Sequence, residues 1–428
     1  MFRYFLFIVL FIFPLHSYAI NIDETIKSTV NNNSKIKIGL EKIFESKEFI
    51  KKASGELFPD IKSTISGTYT TSESKTSTDT TEDDTFGDTY KLTITQNLYD
   101  AGYNQLEIER SKILFNNEVL NFKIIVQNLI LDAITGYLTV LNYEKSLEAT
   151  KKKFDSVSKV LDITKIKYNL GSNTLYDLQY AESTFALAQS DLFTAEQNLL
   201  IGKKSFERIA GIKPIDLDDV VEINTDISFD LIIKNYTEYN LTLELLRNDI
   251  KNKEILLLKE KKTKKPNLDL SGTAQYSDTD RIDNGTETTK GTISLTLTIP
   301  IFKQGIDDSN IRKYQSQIIQ SELNFEDYKE DLKILISNTY KDFKISEANM
   351  KSNLAVIKAS QTALESLNQE YAFGTKTISD LIEEESNLLS TTVDYLDSKK
   401  NYLINYFKIK SLDGTLLNNF EKYLPTIN

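Results

Sequence analysis

Between positions 306 and 372 the chain contains neither glycine nor proline, and its apolar residues recur at alternating spacings of three and four. Ile336, Tyr340, Phe343, Met350, Leu354, Ile357, Leu364 and Tyr371 form this stripe, which Glu347 and Gln361 interrupt. The spacing approximates the 3.5-residue repeat of helices packed side by side along their length. It predicts a single helix of about 100 Å at 1.5 Å rise per residue. Helices of globular domains usually run three or four turns, so this rod belongs to a different kind of architecture.

The same stripe appears 203 residues earlier, as Ala133, Tyr137, Val140, Leu147, Phe154, Leu161 and Tyr168. Gly102 maps onto Gly305, Leu120-Asn121-Phe122 onto Leu323-Asn324-Phe325, Gly171 onto Gly374 and Gly211 onto Gly414, all at that offset. A register held over so long a stretch marks an internal duplication. Beyond each rod the chain nearly repeats itself, GSNTLYDLQYAES at 171–183 and GTKTISDLIEEES at 374–386. Gly171 and Gly374 suit the left-handed position that ends a helix, and Thr174 and Thr377 suit the cap that begins the next. Each half therefore contains a helical hairpin with a tight tip, whose second arms are expected at 175–209 and 378–410. Further helices are expected at 22–54 and 229–262, each running up to a proline.

After Pro59 and Pro266 the period changes to two. Ile61, Ile65 and Tyr69 alternate with Lys62, Thr64, Ser66 and Thr68; Leu92, Ile94 and Leu98 alternate with Thr93, Thr95 and Asn97. The second half repeats this with Leu268, Leu270, Ala274 and Tyr276, then Ile293, Leu295, Leu297, Ile299 and Ile301. Strands are expected at about 60–70, 89–99, 267–277 and 291–302. Such alternation is what a tilted strand needs with lipid on one face and water on the other, and aromatic residues near the strand ends suit a membrane interface. Soluble hairpins capping a helical bundle would give the same pattern. The connecting segments, SESKTSTDTTEDD and DTDRIDNGTET, read as polar loops. Their acids Glu82, Asp83, Asp84, Asp280 and Asp283 read as solvated, with divalent ions or surface glycolipid as the alternative. Four strands cannot close a barrel, and an open edge in lipid strands backbone groups at several kcal/mol each. If these strands meet the bilayer, several copies must therefore pool them.

Composition narrows the chemistry. MFRYFLFIVLFIFPLHSYA, residues 1–19, has an early Arg3, an apolar run too short to span a bilayer, and small residues at Ser17 and Ala19. This reads as an export signal cleaved after Ala19. Its removal takes with it the chain's one histidine and moves the net charge from −11 to −12. With no cysteine or histidine left, nucleophile systems built on imidazole or thiolate and ordinary zinc sites are excluded, as is acylation at an N-terminal cysteine. The acidic balance argues against nucleic acid. No cofactor or metal is expected, and no convergent acid-base set suggests an enzyme.

The segment YAFGTKTISDLIEEESNLLSTTVDYLDSKKNYLINYFKIKSLDGTL, 371–416, resembles the C-terminal half of TolC-like outer-membrane channels, most specifically in NYLIN and IKSLDGTL. YDAG at 99–102, FKQG at 302–305 and YNLGSNTLYDL at 168–178 are similar to that family as well. The resemblance implies a mixed α/β fold of mostly long helices, in which three protomers pool four strands each into a 12-stranded β-barrel that continues as a periplasmic helical barrel. It divides the chain into a signal at 1–19, a first repeat at 20–210, an equatorial linker at 211–228, a second repeat at 229–411 and an equatorial tail at 412–428. It implies a homotrimer in the outer membrane that docks a periplasmic adaptor protein and an inner-membrane transporter and serves as a passive duct for type I protein secretion or small-molecule efflux. A pore-free periplasmic coiled-coil adaptor or rod is the alternative.

By the same resemblance, Asp177 and Tyr371 belong to a polar network at the constriction. Lys376 stands where the family has an arginine, without that residue's planar fork. Asp380 and Glu383 occupy lumen-facing acidic positions, so that three copies would set six carboxylates around one axis. Gly171 and Gly374 mark the tips that meet the adaptor. Purely structural roles stand beside these. Thr174 with Asp177 and Thr377 with Asp380 have capping-box spacing, Tyr371 continues the apolar stripe, and Lys376 suits a solvated tip. Glu384 and Glu385 read as a solvated helix face and are assigned no role.

Overall fold

The structure, a computed structural model, describes residues 20–220, 227–281 and 285–425. The expected export signal, part of the expected linker and Asp283 lie outside the described residues, and Glu82 is described in its backbone only. Among the described residues the order is α1 (Ile22–Asn32), α2 (Ser34–Gly55), β1 (Asp60–Lys75), β2 (Thr80–Tyr99), α3 (Tyr103–Asn169), α4 (Leu175–Ala210), α5 (Phe229–Tyr239), α6 (Leu241–Lys262), β3 (Asn267–Arg281), β4 (Thr286–Thr298), α7 (Ile306–Ala372) and α8 (Ile378–Leu412). A 3₁₀ segment, Leu416–Tyr423, follows. The two long rods are 67 residues each, as their stripes predict.

Two compact units form. One comprises Met1–Lys37, Ile124–Asn240 and Asp331–Asn428; the other comprises Ile38–Lys123 and Leu241–Glu330. In the first, Ile130, Ile134 and Tyr137 of α3 are buried, as are Phe206 of α4 and Ile336 and Phe343 of α7. The Tyr137 hydroxyl reaches the carbonyls of Ile20 and Asp218 at 2.9 and 2.6 Å, so a large apolar ring is buried without stranding its polar end. An 18-residue window of α3 is apolar enough to cross a bilayer by length and composition, but 56% of it is buried inside the protein. It is a core segment.

The helices expected at 22–54 and 229–262 each break once, at Asn33 and Asn240, where the backbone turns extended with ψ of 128° and 119°. Each asparagine closes the preceding helix with its backbone N–H, to Thr29 and Tyr236. Its side-chain amide then donates to a carbonyl at the end of a longer helix, Asn33 to Ile209 at 3.3 Å and Asn240 to Leu412 at 2.9 Å. Those acceptors are themselves 203 residues apart, so the duplication extends to how orphan helix-end carbonyls are satisfied.

In the second unit the strands make one antiparallel sheet in the order β1-β2-β3-β4. The apolar residues of successive strands line up in register: Ile61 pairs with Ile94, Ile65 with Tyr90, Tyr90 with Tyr276, and Leu270 with Leu295. Because side chains alternate at period two, one face carries the apolar residues, with a row of Asp88, Asp278 and Glu287 among them, and the other is polar, mostly Ser, Thr, Lys and Gln with Asp60, Asn97 and Asp269 at one end. Among the described residues nothing covers the apolar face, where Ile65 is 71% and Ile293 84% exposed. β1 and β4 each keep an unpaired edge within the sheet.

The strands depart from expectation at their ends. β1 and β2 pair continuously from Asp60–Thr95 to Lys75–Thr80, so most of SESKTSTDTTEDD is strand and the connection is only 76–79. Asp83, Asp84 and Asp280 therefore stand on strands, not in loops. The backbone ladder continues through β-branched threonines that favour extended structure, but these segments are polar on both faces and give no hydrophobic alternation to read. β4 stops at Thr298, two residues short of Pro300, which has no N–H to give to a ladder. Ile301 and Phe302 lie beyond it.

Candidate functional site: two duplicated helix tips

The two tips are the same corner. After α3, Gly171 adopts φ 75° and donates to Tyr168 O at 2.9 Å, while Ser172 N donates to Lys167 O at 2.8 Å. After α7, Gly374 adopts φ 77° and donates to Tyr371 O at 3.0 Å, while Thr375 N donates to Glu370 O at 3.0 Å. Paired bonds of this kind close a helix end around a left-handed residue, a conformation that glycine adopts without Cβ strain.

Each following helix begins with a complete capping box. Thr174 Oγ1 accepts from Asp177 N at 3.2 Å, and Asp177 Oδ2 accepts from Thr174 N at 2.9 Å. Thr377 and Asp380 do the same at 3.3 and 2.9 Å. In both, the threonine hydroxyl also reaches the aspartate, at 2.7 and 2.8 Å. Asp177 and Asp380 thus each satisfy amide donors that a helix start leaves open. The backbone and side-chain hydrogen bonds from Thr377, with a smaller attraction from Lys376, hold the Asp380 carboxyl below the usual aspartate range.

Tyr371 is half-buried and packs against a small apolar cluster of Val160, Ile378, Leu381 and Ile382. Its hydroxyl accepts from Lys167 Nζ at 3.2 Å, and the same ammonium sits 4.5 Å from its ring centroid. Tyr371 is therefore tied across to α3 by Lys167, while the Asp177 carboxylate is occupied at its own cap. Lys376 and Glu383 are exposed. The structure brings Tyr371 together with the floor of the second tip, and it places Lys376, Asp380 and Glu383 within one turn or two of each other on α8 and its approach.

Sequence reading missed two features. Leu170 and Phe373, directly before the tip glycines, are exposed apolar residues at equivalent places in the two halves. Glu385, read as part of a solvated run, is buried with 9% of its surface accessible. One of its oxygens hydrogen-bonds Ser156 of α3, and the other, Oε2, has no partner among the described residues. Burial pushes its carboxyl above the ordinary glutamate range, against weaker opposing effects from Ser156 and Lys153. Lys153 instead pairs with Asp191 at 3.5 Å. Its spacing carries the signal: Glu385 lies seven residues after buried Ile378 and four after buried Leu381, on the inward stripe of α8.

Comparison with known proteins fits this geometry. Residues 43–211 match the family described as Outer membrane efflux protein. The chain is 24% identical over 307 residues to the outer membrane protein TolC of Escherichia coli, covering 68% of this chain and 62% of that protein. It is 18% identical over 363 residues to the outer membrane efflux protein BepC of Brucella suis, covering 82% and 77%. Among solved structures, the CmeC outer membrane channel of Campylobacter jejuni superposes with a TM-score of 0.80 at 15% identity, over 94% of this chain and 89% of that one. The open-state MtrE outer membrane channel of Neisseria gonorrhoeae gives 0.71 at 14% identity, over 92% and 89%. At these identities the structural likeness establishes the fold: long helices joined to a four-stranded antiparallel sheet.

Proposed function

Starting from a chain whose residues 43–211 match the Outer membrane efflux protein family and whose fold is that of TolC-like channels, we propose that it is the outer-membrane duct of a tripartite export system. Three protomers contribute four strands each to a 12-stranded barrel, and their helices continue as a periplasmic cylinder that narrows at the tips. The observation that carries this reading is the sheet. It has one bare apolar face, one polar face and two unpaired edges, a combination stable in lipid only if neighbouring copies close the ladder. The division into two repeats with equatorial segments at 211–228 and 412–428 follows the same plan.

At the tips, Asp380 and Glu383 from three copies form an acidic throat, Tyr371 and Lys376 help hold it shut, and Asp177 anchors the opposing corner. Gly171 and Gly374, with exposed Leu170 and Phe373 before them, present small apolar knobs to a periplasmic adaptor. An inner-membrane transporter supplies the work; the chain itself is a passive duct and not an enzyme. The cargo is a secreted protein or a small molecule.

Planar-bilayer recording of the purified protein tests the duct. A cation-favouring conductance supports it, and complete lack of channels under conditions that keep the protein trimeric refutes it in favour of a rod or adaptor. The double substitution D380N/E383Q should reduce cation preference and weaken block by polyvalent cations. Unchanged selectivity would leave these residues as helix caps and solvated surface.

A further inference from the structure

The polar face of the sheet separates charge in a way the chain as a whole does not. Cross-strand pairing sets its residues in rows: Lys62-Thr93-Thr273-Thr292, then Thr64-Lys91-Gln275-Lys290, then two rows of Ser, Thr and Gly from Ser66 to Thr286. Across these four rows the polar face carries three lysines and no carboxylate, in a chain of net charge −11. Of the acids on the same strands, Asp88, Asp278 and Glu287 stand side by side in one row of the opposite face, whereas Asp60 and Asp269 lie on the polar face to one side of these four rows and Asp83 to the other. Lys62 is neutralised from the row below by Asp60 at 2.6 Å. Lys91 and Lys290 are exposed, and among the described residues neither has an ion-pair partner. They flank Gln275 at one level, about 10 Å apart across two strand spacings.

On this basis we propose that Lys91 and Lys290 form a polyanion-binding ring inside the barrel, a site opposite in sign to the acidic tip. The inference rests on the trimeric duct proposed above, which turns the polar face inward. Three copies then set six ammonium groups in one band of the tilted wall, interleaved with three Gln275 amides able to donate hydrogen bonds. Fixed like charges lining a confined lumen concentrate counter-ions. Lys62 is about 7 Å away along β1, two residues at the strand rise, and its partner Asp60 keeps it from dominating. The ligand class is a multiply charged anion, phosphorylated or polycarboxylate, whose several charges can meet several ammonium groups at once. A lone chloride cannot do this.

The test is side-specific block of the wild-type trimer in a planar bilayer, with sodium tripolyphosphate as the probe. Tripolyphosphate added on the barrel side should reduce the current, and raising ionic strength should relieve it. In K91Q/K290Q the half-blocking concentration should rise at least about tenfold, and in K91R/K290R block should persist. Wild-type current without barrel-side block, or block unchanged in K91Q/K290Q, overturns the ring while leaving the duct intact. A wild-type protein that gives no current overturns the duct reading itself, and the ring with it.

Discussion

The two tips share the backbone hydrogen bonds that close their turns and the capping boxes that follow, yet the helices that leave them differ in what they bury. In the second tip Ile378 is 3% exposed and Ile382 2%; in the first, Leu175, the equivalent of Ile378, is 58% exposed. Tyr176 beside it is exposed and stacks on Tyr180 of its own helix. A corner fixed by local bonds survives duplication unchanged, because the bonds need only Gly, Thr and Asp at set spacings. What the following helix buries depends on its neighbours, and there the two halves have diverged. Glu385 belongs to the diverged part: it is buried on α8, whereas its equivalent on α4, Glu182, is only half-buried and accepts from Gln179 Nε2 of its own helix at 3.0 Å.

The largest effect that would break this comparison is in the core. Ile382→Ala should cost about 2–5 kcal/mol, the range for truncating a buried aliphatic side chain, in urea unfolding of the detergent-solubilised protein. Leu175→Ala should stay within about 0.5 kcal/mol if its face is open. A loss as large as that of Ile382→Ala would mean that another copy covers α4, which would sharpen the contrast into one between a protomer core and an assembly contact.

Next come the caps, where the halves should agree. Thr174→Ala and Thr377→Ala should each destabilise by about 1 kcal/mol, read in the same unfolding experiment. Unequal losses would show that the corners are less alike energetically than geometrically.

The pH dependence should separate the second tip's two acids by sign. Asp380 titrates below its ordinary range, so its contribution is present above the unfolded aspartate value and fades as pH falls through the folded one. Glu385 titrates above its ordinary range, so its contribution is full below the unfolded glutamate value and is lost as pH rises through the folded one. Glu385→Gln should therefore flatten the second slope and raise the thermal midpoint at pH 7, by the smallest margin of these changes. A steeper slope in that variant would contradict the buried, unpartnered carboxylate.

Much of this was legible in the sequence because it is written in spacing. The 203-residue offset, the left-handed glycines, the threonine caps and the apolar alternation of Ile61, Ile65, Ile293 and Leu295 all state local rules. The breaks at Asn33 and Asn240 were not legible, because an asparagine marks a helix break only when a distant carbonyl, here Ile209 or Leu412, awaits its amide. The outer halves of β1 and β2 were hidden because threonine-rich strands with polar residues on both faces look like loops. Glu385 was hidden by its neighbours Glu383 and Glu384, since a run of like charges masks the one member that the helix turns inward. The lysine row emerges only when four strands are laid in register, since Lys91 and Lys290 are far apart along the chain.

The central claim is that one chain supplies a third of a closed wall, so that β1 of one protomer must pair with β4 of the next. The chain has no cysteine, which makes disulfide trapping clean. A cysteine at Thr64 on β1, combined in turn with one at Thr292, Ser294 or Thr296 on β4, should yield covalent dimers and trimers on a non-reducing gel in at least one register. Monomer alone in all three combinations, from protein recovered in the outer membrane, would contradict the account.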